Sequence, residues 1–155
     1  EVPTKGEMEA FLTDGLRSVI NSISAENLHE YTIRWPGHIQ KFIDTRENEE
    51  INEELLTNSW KYDENIKEFT WMKVEAESEI GEIMNWSVYD EGGKDGHSMA
   101  RCTGLVTLGS IIEWIKDKDM LSSGVYAPED LSTEVISRII KFMKKSGIVI
   151  EGPKI

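Results

Sequence analysis

The stretch "EFTWMKVEAESEIGEIMNWSVYD", residues 68–90, predicts two antiparallel strands around which the rest of the fold can be arranged. Aromatic and β-branched residues, which favour strands, occur in both halves. Apolar and polar residues alternate in the second half, although imperfectly, at Ile80, Glu82, Met84, Trp86 and Val88. A tight turn near Ser78-Glu79 would join the two strands, so we expect them to pair as a hairpin.

The remaining elements, taken with this hairpin, predict an α+β domain. We expect a strand over residues 31–35, a helix from 38, a short acidic helix within 51–59, a helix over 97–119, a helix over 129–145 and a buried strand over 147–152. A chain of 155 residues fits one domain with a core of its own. The predicted fold is a single α+β domain with a mixed, largely antiparallel sheet and helices packed on one face.

The N-terminal region allows two interpretations. Apolar residues recur with a helical period over residues 8–23, but Gly15 interrupts them, and a glycine inside a helix costs about 1 kcal/mol relative to alanine. The alternative is a helix that starts afresh in "TDGLR", with Thr13 or Asp14 as its cap. We prefer the second interpretation because it explains the glycine.

The helix predicted over residues 97–119 has no charged residue between Arg101 and Glu113. We therefore expect it to be a central core helix, buried on nearly every side. Four small residues would let a neighbouring backbone approach closely, namely Ala100, Gly104, Gly109 and Ser110.

Composition argues against several classes of partner. Lysine and arginine total 17 against 29 acids, so the net charge of -12 would repel nucleic acids and anionic membranes. Acidic stretches such as "RENEEINEE" are typical of solvated faces. No signal peptide and no apolar run of about 20 residues is visible. The single cysteine, Cys102, excludes an internal disulfide and favours a reducing compartment, so we expect a cytoplasmic protein.

Sequence motifs for nucleotides and metals are missing. The chain contains neither G-x-G-x-x-G nor G-x-x-x-x-G-K-[ST], which argues against a self-contained dinucleotide or nucleoside triphosphate site. "DEGGKDG", residues 90–96, lacks the ligand spacing of a calcium loop. His29, His38 and His97 lack the spacing and the second cysteine of a zinc site, so we expect no bound metal. Cys102 fits an inert small apolar residue.

One polar corner lies in "TIRWPGH", residues 32–38. Thr32 and Arg34 share one face of the predicted strand, and His38 follows the turn. A guanidinium at the end of a strand can bind a carboxylate through two parallel hydrogen bonds. The alternative is that Arg34 merely pairs with one of the many acids of the chain.

Two more polar corners lie at predicted helix starts. The free N–H groups at the start of the long helix form a natural anion site, with His97 and Ser98 beside it. Thr13, Asp14 and Arg17 lie at the other start. In both places the alternative is simple helix capping, by Ser98 and by Asp14 respectively. The residues themselves indicate a small anionic ligand and name no reaction.

Four stretches, taken in order, resemble the C-terminal domain of the saccharopine dehydrogenase family: "EAFLTDGLRSVI", "EYTIRWPGHIQ", "DGHSMARCTGLVTLGSIIEWI" and "GVYAPEDL". The resemblance covers about residues 3–152. Its most specific element is "TIRWPGH", which is similar to the family's Arg-Tyr-Pro-Gly-His. Trp35 replaces the tyrosine, which keeps the aromatic ring and loses a hydroxyl.

The resemblance implies a fold similar to the C-terminal domains of saccharopine and glyceraldehyde-3-phosphate-type dehydrogenases. It implies hydride transfer, through an imine, at the carbon–nitrogen bond of an amino acid or amino-acid conjugate. NAD or NADP would be bound by an N-terminal Rossmann domain, which is absent from this chain. This domain would supply substrate contacts and form a homodimer. Because the chain also begins at Glu1 without a methionine, we expect an excised piece that is inactive alone.

The resemblance also implies site residues. Thr13, Asp14 and Arg17 match the "TDGLR" motif, and Arg34 and His38 match the Arg-aromatic-Pro-Gly-His motif. We expect these five to bind substrate or to shape the site, together with Ser98. His38 and His97 are the candidates for proton transfer, because histidine is the usual general acid or base near neutral pH.

A second hypothesis comes from a different class of protein. The acidic surface and the missing cofactor motif also fit a non-catalytic module that oligomerises or senses a small ligand.

Overall fold

The structure, a computed structural model, describes residues 1–48, 51–61, 63 and 65–153. The chain forms two compact units, Glu1–Asn65 and Ile66–Ile155. Helices and antiparallel strands occur in both units, which confirms the α+β class. The prediction of a single mixed sheet was wrong. The described strands form two separate sheets, and every strand pair in them is antiparallel.

The first unit contains a two-stranded sheet and three helices among its described residues. In chain order its elements are β1 (Glu9–Leu12), α1 (Val19–Ser22), β2 (Tyr31–Arg34), α2 (His38–Asn48) and α3 (Glu53–Ser59). Strand β2 and the two helices that follow it confirm the predictions for residues 31–59. Asn52 caps α3 by accepting a hydrogen bond from the Leu55 N–H at 2.9 Å.

The N-terminal helix prediction was wrong in both of its forms. Residues Glu9–Leu12 form a strand that pairs with β2, so a long-range partner overrides the helical period of the sequence. Helix α1 begins only at Val19 and has four residues, so Thr13 and Asp14 do not cap it. Arg17 has φ 50°, in the left-handed region, and this conformation prevents a continuous helix through the motif.

The second unit contains a three-stranded sheet and two long helices. Its elements are β3 (Thr70–Glu77), β4 (Ile83–Asp90), α4 (Ser98–Lys116), a 3₁₀ turn (Pro128–Asp130), α5 (Thr133–Lys145) and β5 (Val149–Glu151). The hairpin of β3 and β4 confirms the central sequence prediction, with Thr70 opposite Asp90 and Glu77 opposite Ile83. Its turn extends further than expected, because Ile80 lies in the turn and β4 starts at Ile83.

Helix α5 supplies most of the core of the second unit. Val135, Ile139 and Met143 are buried on its inner face, together with Ile148 after the helix. The residues packed against this cluster come from β4, α4, β5 and the loops, and they are Val88, Cys102, Leu105, Met120, Leu131 and Ile150. The buried side of α5 thus packs against the sheet face that carries Val88 and Ile150, and α4 packs against α5 through Cys102 and Leu105.

Three details of the second unit differ from the predictions. Helix α4 is not buried on nearly every side, because α5 covers only one of its faces and Trp114 and Ile115 are 50% and 61% exposed. Helix α5 starts at Thr133, after the 3₁₀ turn, because the Ser132 side chain accepts the Val135 N–H. Strand β5 is present, but Val149 within it is exposed.

None of the described helices combines the length and the apolar character needed to cross a membrane.

Candidate functional site

The corner of residues 34–38, here called the Arg34–His38 corner, joins β2 to α2. The His38 N–H donates to the Trp35 carbonyl at 3.1 Å, which closes the turn. Gly37 has φ 86°, a conformation that residues with a side chain rarely adopt, so glycine suits this position. The turn therefore holds Arg34 at the end of a strand and His38 at the start of a helix.

Arg34 is exposed, and its Nη1 donates to the Ile33 carbonyl at 2.8 Å. No ion pair between described residues includes it. Within the described chain, the alternative that Arg34 pairs with an acid therefore finds no support. Its guanidinium retains N–H donors that can bind a carboxylate from solution.

Glu9 on β1 closes the corner from the neighbouring strand. Its Oε1 accepts the Gly37 N–H at 2.7 Å and its Oε2 accepts the Ile39 N–H at 3.1 Å. The bond from Gly37, followed by that from Ile39, holds the pKa of the Glu9 carboxyl below its ordinary value of 4.5. The first N–H groups of α2 are thus occupied by a carboxylate of the chain itself.

His38 stacks on the aromatic ring of Trp60, the residue that follows α3. Its imidazole lies 5.4 Å from the Trp60 ring centroid, with the planes inclined by 24°. Phe42, one helical turn later, stacks on the same indole at 6.0 Å. These contacts fix one face of the imidazole and link α2 to α3.

The "TDGLR" motif forms a second cluster around Glu30. The Thr13 hydroxyl donates to the Glu30 carboxylate and lies 3.0 Å from the Thr32 hydroxyl, and the Gly15 N–H donates to Glu30 at 3.2 Å. A Cβ at Gly15 would lie 2.7 Å from the Glu30 carboxyl carbon, so a larger residue there would displace the Glu30 carboxylate. Asp14 and Arg17 are exposed beside the cluster.

The two clusters of the first unit lie at opposite ends of one hairpin. The ladder places Glu9 opposite Arg34 at one end and Leu12 opposite Tyr31 at the other. Three residue steps along a strand span about 10 Å. The structure therefore brings Thr13 of the first motif together with Thr32 of the second. Glu9, Arg34 and the turn to His38 lie at the other end of the sheet.

Ser98 and His97 belong to the second unit. Ser98 is fully buried, its N–H donates to Glu68 at 2.6 Å, and its hydroxyl contacts both the Glu68 carboxylate and the Thr70 hydroxyl, the latter at 2.6 Å. His97, rather than Ser98, occupies the N-cap position of α4. The predicted anion site at this helix start is thus filled by Glu68.

Three glutamates play the same role at the three predicted anion corners. Glu9, Glu30 and Glu68 each accept a hydrogen bond from a backbone N–H group. At the two predicted helix starts, the sequence had assigned these donors to a ligand or to a simple cap. Each lies 15 to 30 residues from the group that it binds. No local spacing marks these three among 29 acids, which is why the sequence analysis missed them.

A buried arginine orders the loop in front of α4. Arg101 Nε donates to Asp90 at 2.9 Å, its Nη2 donates to the Ser146 carbonyl at 2.9 Å, and its Nη1 bonds to Asp95. The hydrogen bond with Asp90 raises the pKa of the Arg101 guanidinium above its ordinary value. Burial raises the pKa of the neighbouring Cys102 thiol, which keeps it protonated and agrees with an inert residue.

An open groove of about 440 Å³ runs along α2 from the Arg34–His38 corner. Its lining is polar and consists of Gly37, Gln40, Lys41, Asp44, Thr45 and Asn48. The described residues contain no group of three or more metal-ligating side chains. The groove meets the corner at Gly37, and neither Arg34 nor His38 lines it. The groups that can bind an anion and hold a proton are therefore those of the corner itself.

No protein-family model matches the sequence, and no curated protein matches it either.

Proposed function

We propose that the chain is the substrate-binding and dimerisation domain of an NAD(P)-dependent oxidoreductase that acts on the carbon–nitrogen bond of an amino acid or amino-acid conjugate, of the saccharopine or lysine type. The observation that carries this proposal is the Arg34–His38 corner. There an exposed guanidinium, without an ion pair among the described residues, lies one turn from an imidazole fixed on Trp60.

The proposed roles follow from the chemistry of the two side chains. Arg34 binds a substrate carboxylate through paired N–H donors, and this contact orients the substrate. His38 holds a proton at its ring nitrogens close to the bound substrate and donates or accepts it there. Thr13, Asp14 and Arg17 remain in the proposal as residues of the first unit that shape the site.

The cofactor belongs to a separate domain in this proposal. A dinucleotide requires a parallel strand, a glycine-rich turn and a helix whose N-terminus faces the pyrophosphate. The described residues form only antiparallel pairs, and the sequence has no matching glycine motif, so they do not fit the cofactor. NAD or NADP is therefore assigned to a Rossmann domain outside this chain, and the chain alone is expected to be inactive.

The proposal includes a homodimer in the cytoplasm, with no binding of nucleic acid or membrane. The acidic net charge of -12 supports the last two statements. Several large apolar residues of the second unit are exposed, which supports a protein partner, and they include Met72, Val74, Met84, Val106, Ile111 and Trp114.

The runner-up function is a non-catalytic module that oligomerises or senses a small ligand. It is favoured by the three glutamates, because they already satisfy backbone donors that a substrate would otherwise use.

Turnover separates the two functions. The chain should bind saccharopine weakly by calorimetry, and it should oxidise this compound only when joined to a cofactor domain. Light scattering should give twice the mass of one chain. A joined protein that binds saccharopine without reducing NAD or NADP would support the sensing module and contradict the enzyme.

A further inference from the structure

We propose that Glu9 is a positioning residue, whose carboxylate holds the Arg34–His38 corner in the orientation in which the corner binds its ligand. This inference rests on the proposed function of that corner. Glu9 begins the stretch "EAFLTDGLRSVI" but precedes its "TDGLR" motif, and it lies on the strand next to the one that carries Arg34.

Glu9 uses both of its carboxylate oxygens. One accepts from Gly37 at 2.7 Å and the other from Ile39 at 3.1 Å, so the carboxylate bridges the residues on either side of His38. Charge-assisted hydrogen bonds of this kind are about twice as strong as neutral ones. The bridge therefore fixes the backbone from which the imidazole projects.

The same carboxylate lies beside Arg34. Glu9 and Arg34 are direct partners in the antiparallel ladder, where opposite Cβ atoms are about 5 Å apart. The structure nevertheless directs the Arg34 Nη1 to the Ile33 carbonyl and the Glu9 oxygens to backbone amides. Because the amides occupy Glu9, the guanidinium keeps donors for a ligand carboxylate.

Polar and aromatic contacts hold this corner. Val2 is the one buried apolar residue in the described part of the unit, so a hydrophobic core does not fix the turn. The Glu9 bridge acts together with the hydrogen bond from the His38 N–H to the Trp35 carbonyl and with the stack of His38 on Trp60. Loss of the Glu9 bridge should therefore move the corner without a comparable effect on the second unit.

The test compares Glu9→Gln with the matched variant Glu30→Gln in the 155-residue chain. Glutamine has the length of glutamate but only one acceptor oxygen, so its amide nitrogen would face an N–H donor. Glu30 also holds backbone and hydroxyl donors in the first unit, at the far end of the hairpin. The readouts are the NMR signals of the His38 ring, shifted by the Trp60 ring current, and the affinity for saccharopine.

We expect Glu9→Gln to move the His38 ring signals towards those of an unstacked histidine and Glu30→Gln to leave them in place. Saccharopine affinity should fall about tenfold in Glu9→Gln, as for one lost charge-assisted hydrogen bond. Unchanged ring signals and affinity in Glu9→Gln, or equal shifts in both variants, would overturn the inference.

The wild-type chain supplies a second measurement that needs no variant. The Gly37 and Ile39 amide signals should both follow one acid titration, that of Glu9, and signals that ignore it would overturn the inference. A wild-type chain that binds no saccharopine contradicts the proposed function instead, whereas the His38 and amide signals still decide whether Glu9 holds the corner.

Discussion

The buried Ser98 N–H donates a hydrogen bond of 2.6 Å to the carboxylate of Glu68, two residues before β3. The contact ties the first turn of the longest helix to the sheet and satisfies a helix-end donor that has no partner within the helix. The contact also explains why the helix start that resembles an anion site is a structural junction in this chain.

Loss of the Ser98 hydroxyl should weaken the second unit. Ser98→Ala leaves one Glu68 oxygen and the Thr70 hydroxyl without this buried partner, and such a loss costs about 1–3 kcal/mol. Urea unfolding followed by tryptophan fluorescence measures the change. Ser123→Ala, at an exposed position, is the control and should stay within about 0.5 kcal/mol of wild type. Equal effects in the two variants would contradict the junction.

Two glycines of α4 should respond differently to alanine. A Cβ at Gly104 would meet nothing within 4 Å. Gly104→Ala should therefore raise the free energy of unfolding by up to about 1 kcal/mol, because alanine favours a helix more than glycine does. A Cβ at Gly109 would lie 3.2 Å from both Ile139 and Phe142, which is tighter than ordinary contact. Gly109→Ala should therefore be less stable than Gly104→Ala by about 1 kcal/mol or more. Thermal unfolding of both variants under one condition measures the order of stability. The reverse order would contradict the close packing of Gly109 against α5.

Acid should destabilise the chain through Glu9 and Glu113. The Lys116 hydrogen bond, and then that of Arg138, lowers the pKa of the Glu113 carboxyl below 4.5, as backbone bonds do for Glu9. The unfolded chain therefore binds protons more readily at acid pH. The stability that these two groups supply is present above the unfolded pKa and is lost as the pH falls through the folded pKa.

The urea concentration at the unfolding midpoint should accordingly decrease as the pH is lowered from about 6 to about 3. Glu113→Gln should reduce that dependence. Glu134→Gln should retain it, because Glu134 is 84% exposed in its pair with Arg138. A wild-type midpoint that stays constant over this range would contradict the assigned hydrogen bonds.

The sequence predicted elements whose determinants are local. The β3–β4 hairpin follows from alternation and a turn, and α5 follows from an apolar stripe that ends near Gly147. Strand β1 was missed because its residues also fit a helical period, and only pairing with Tyr31–Arg34 selects the strand. Helix α4 was placed at the centre because it lacks charge, yet its exposed apolar residues show that an uncharged run does not establish burial.

The candidate site could be predicted only in part. The "TIRWPGH" stretch predicted a strand, a turn and a helix start, and the structure has all three. The carboxylates that fill the corners could not be found, because a glutamate 28 residues from its amide partner carries no local signal. The contact between Thr13 and Thr32 depends on the pairing of β1 with β2, which the helix predicted in this region excluded.

Arg34 is proposed to bind a substrate carboxylate, and steady-state kinetics of saccharopine oxidation test this role in the protein that joins this chain to a cofactor domain. Wild type is compared with Arg34→Ala and with Arg46→Ala, an exposed arginine of α2 that does not line the groove. We predict that Arg34→Ala lowers kcat/KM by about tenfold or more with an unchanged fold, as expected for a lost charged hydrogen bond, and that Arg46→Ala retains wild-type values. Wild-type kinetics in a folded Arg34→Ala variant would contradict the claim.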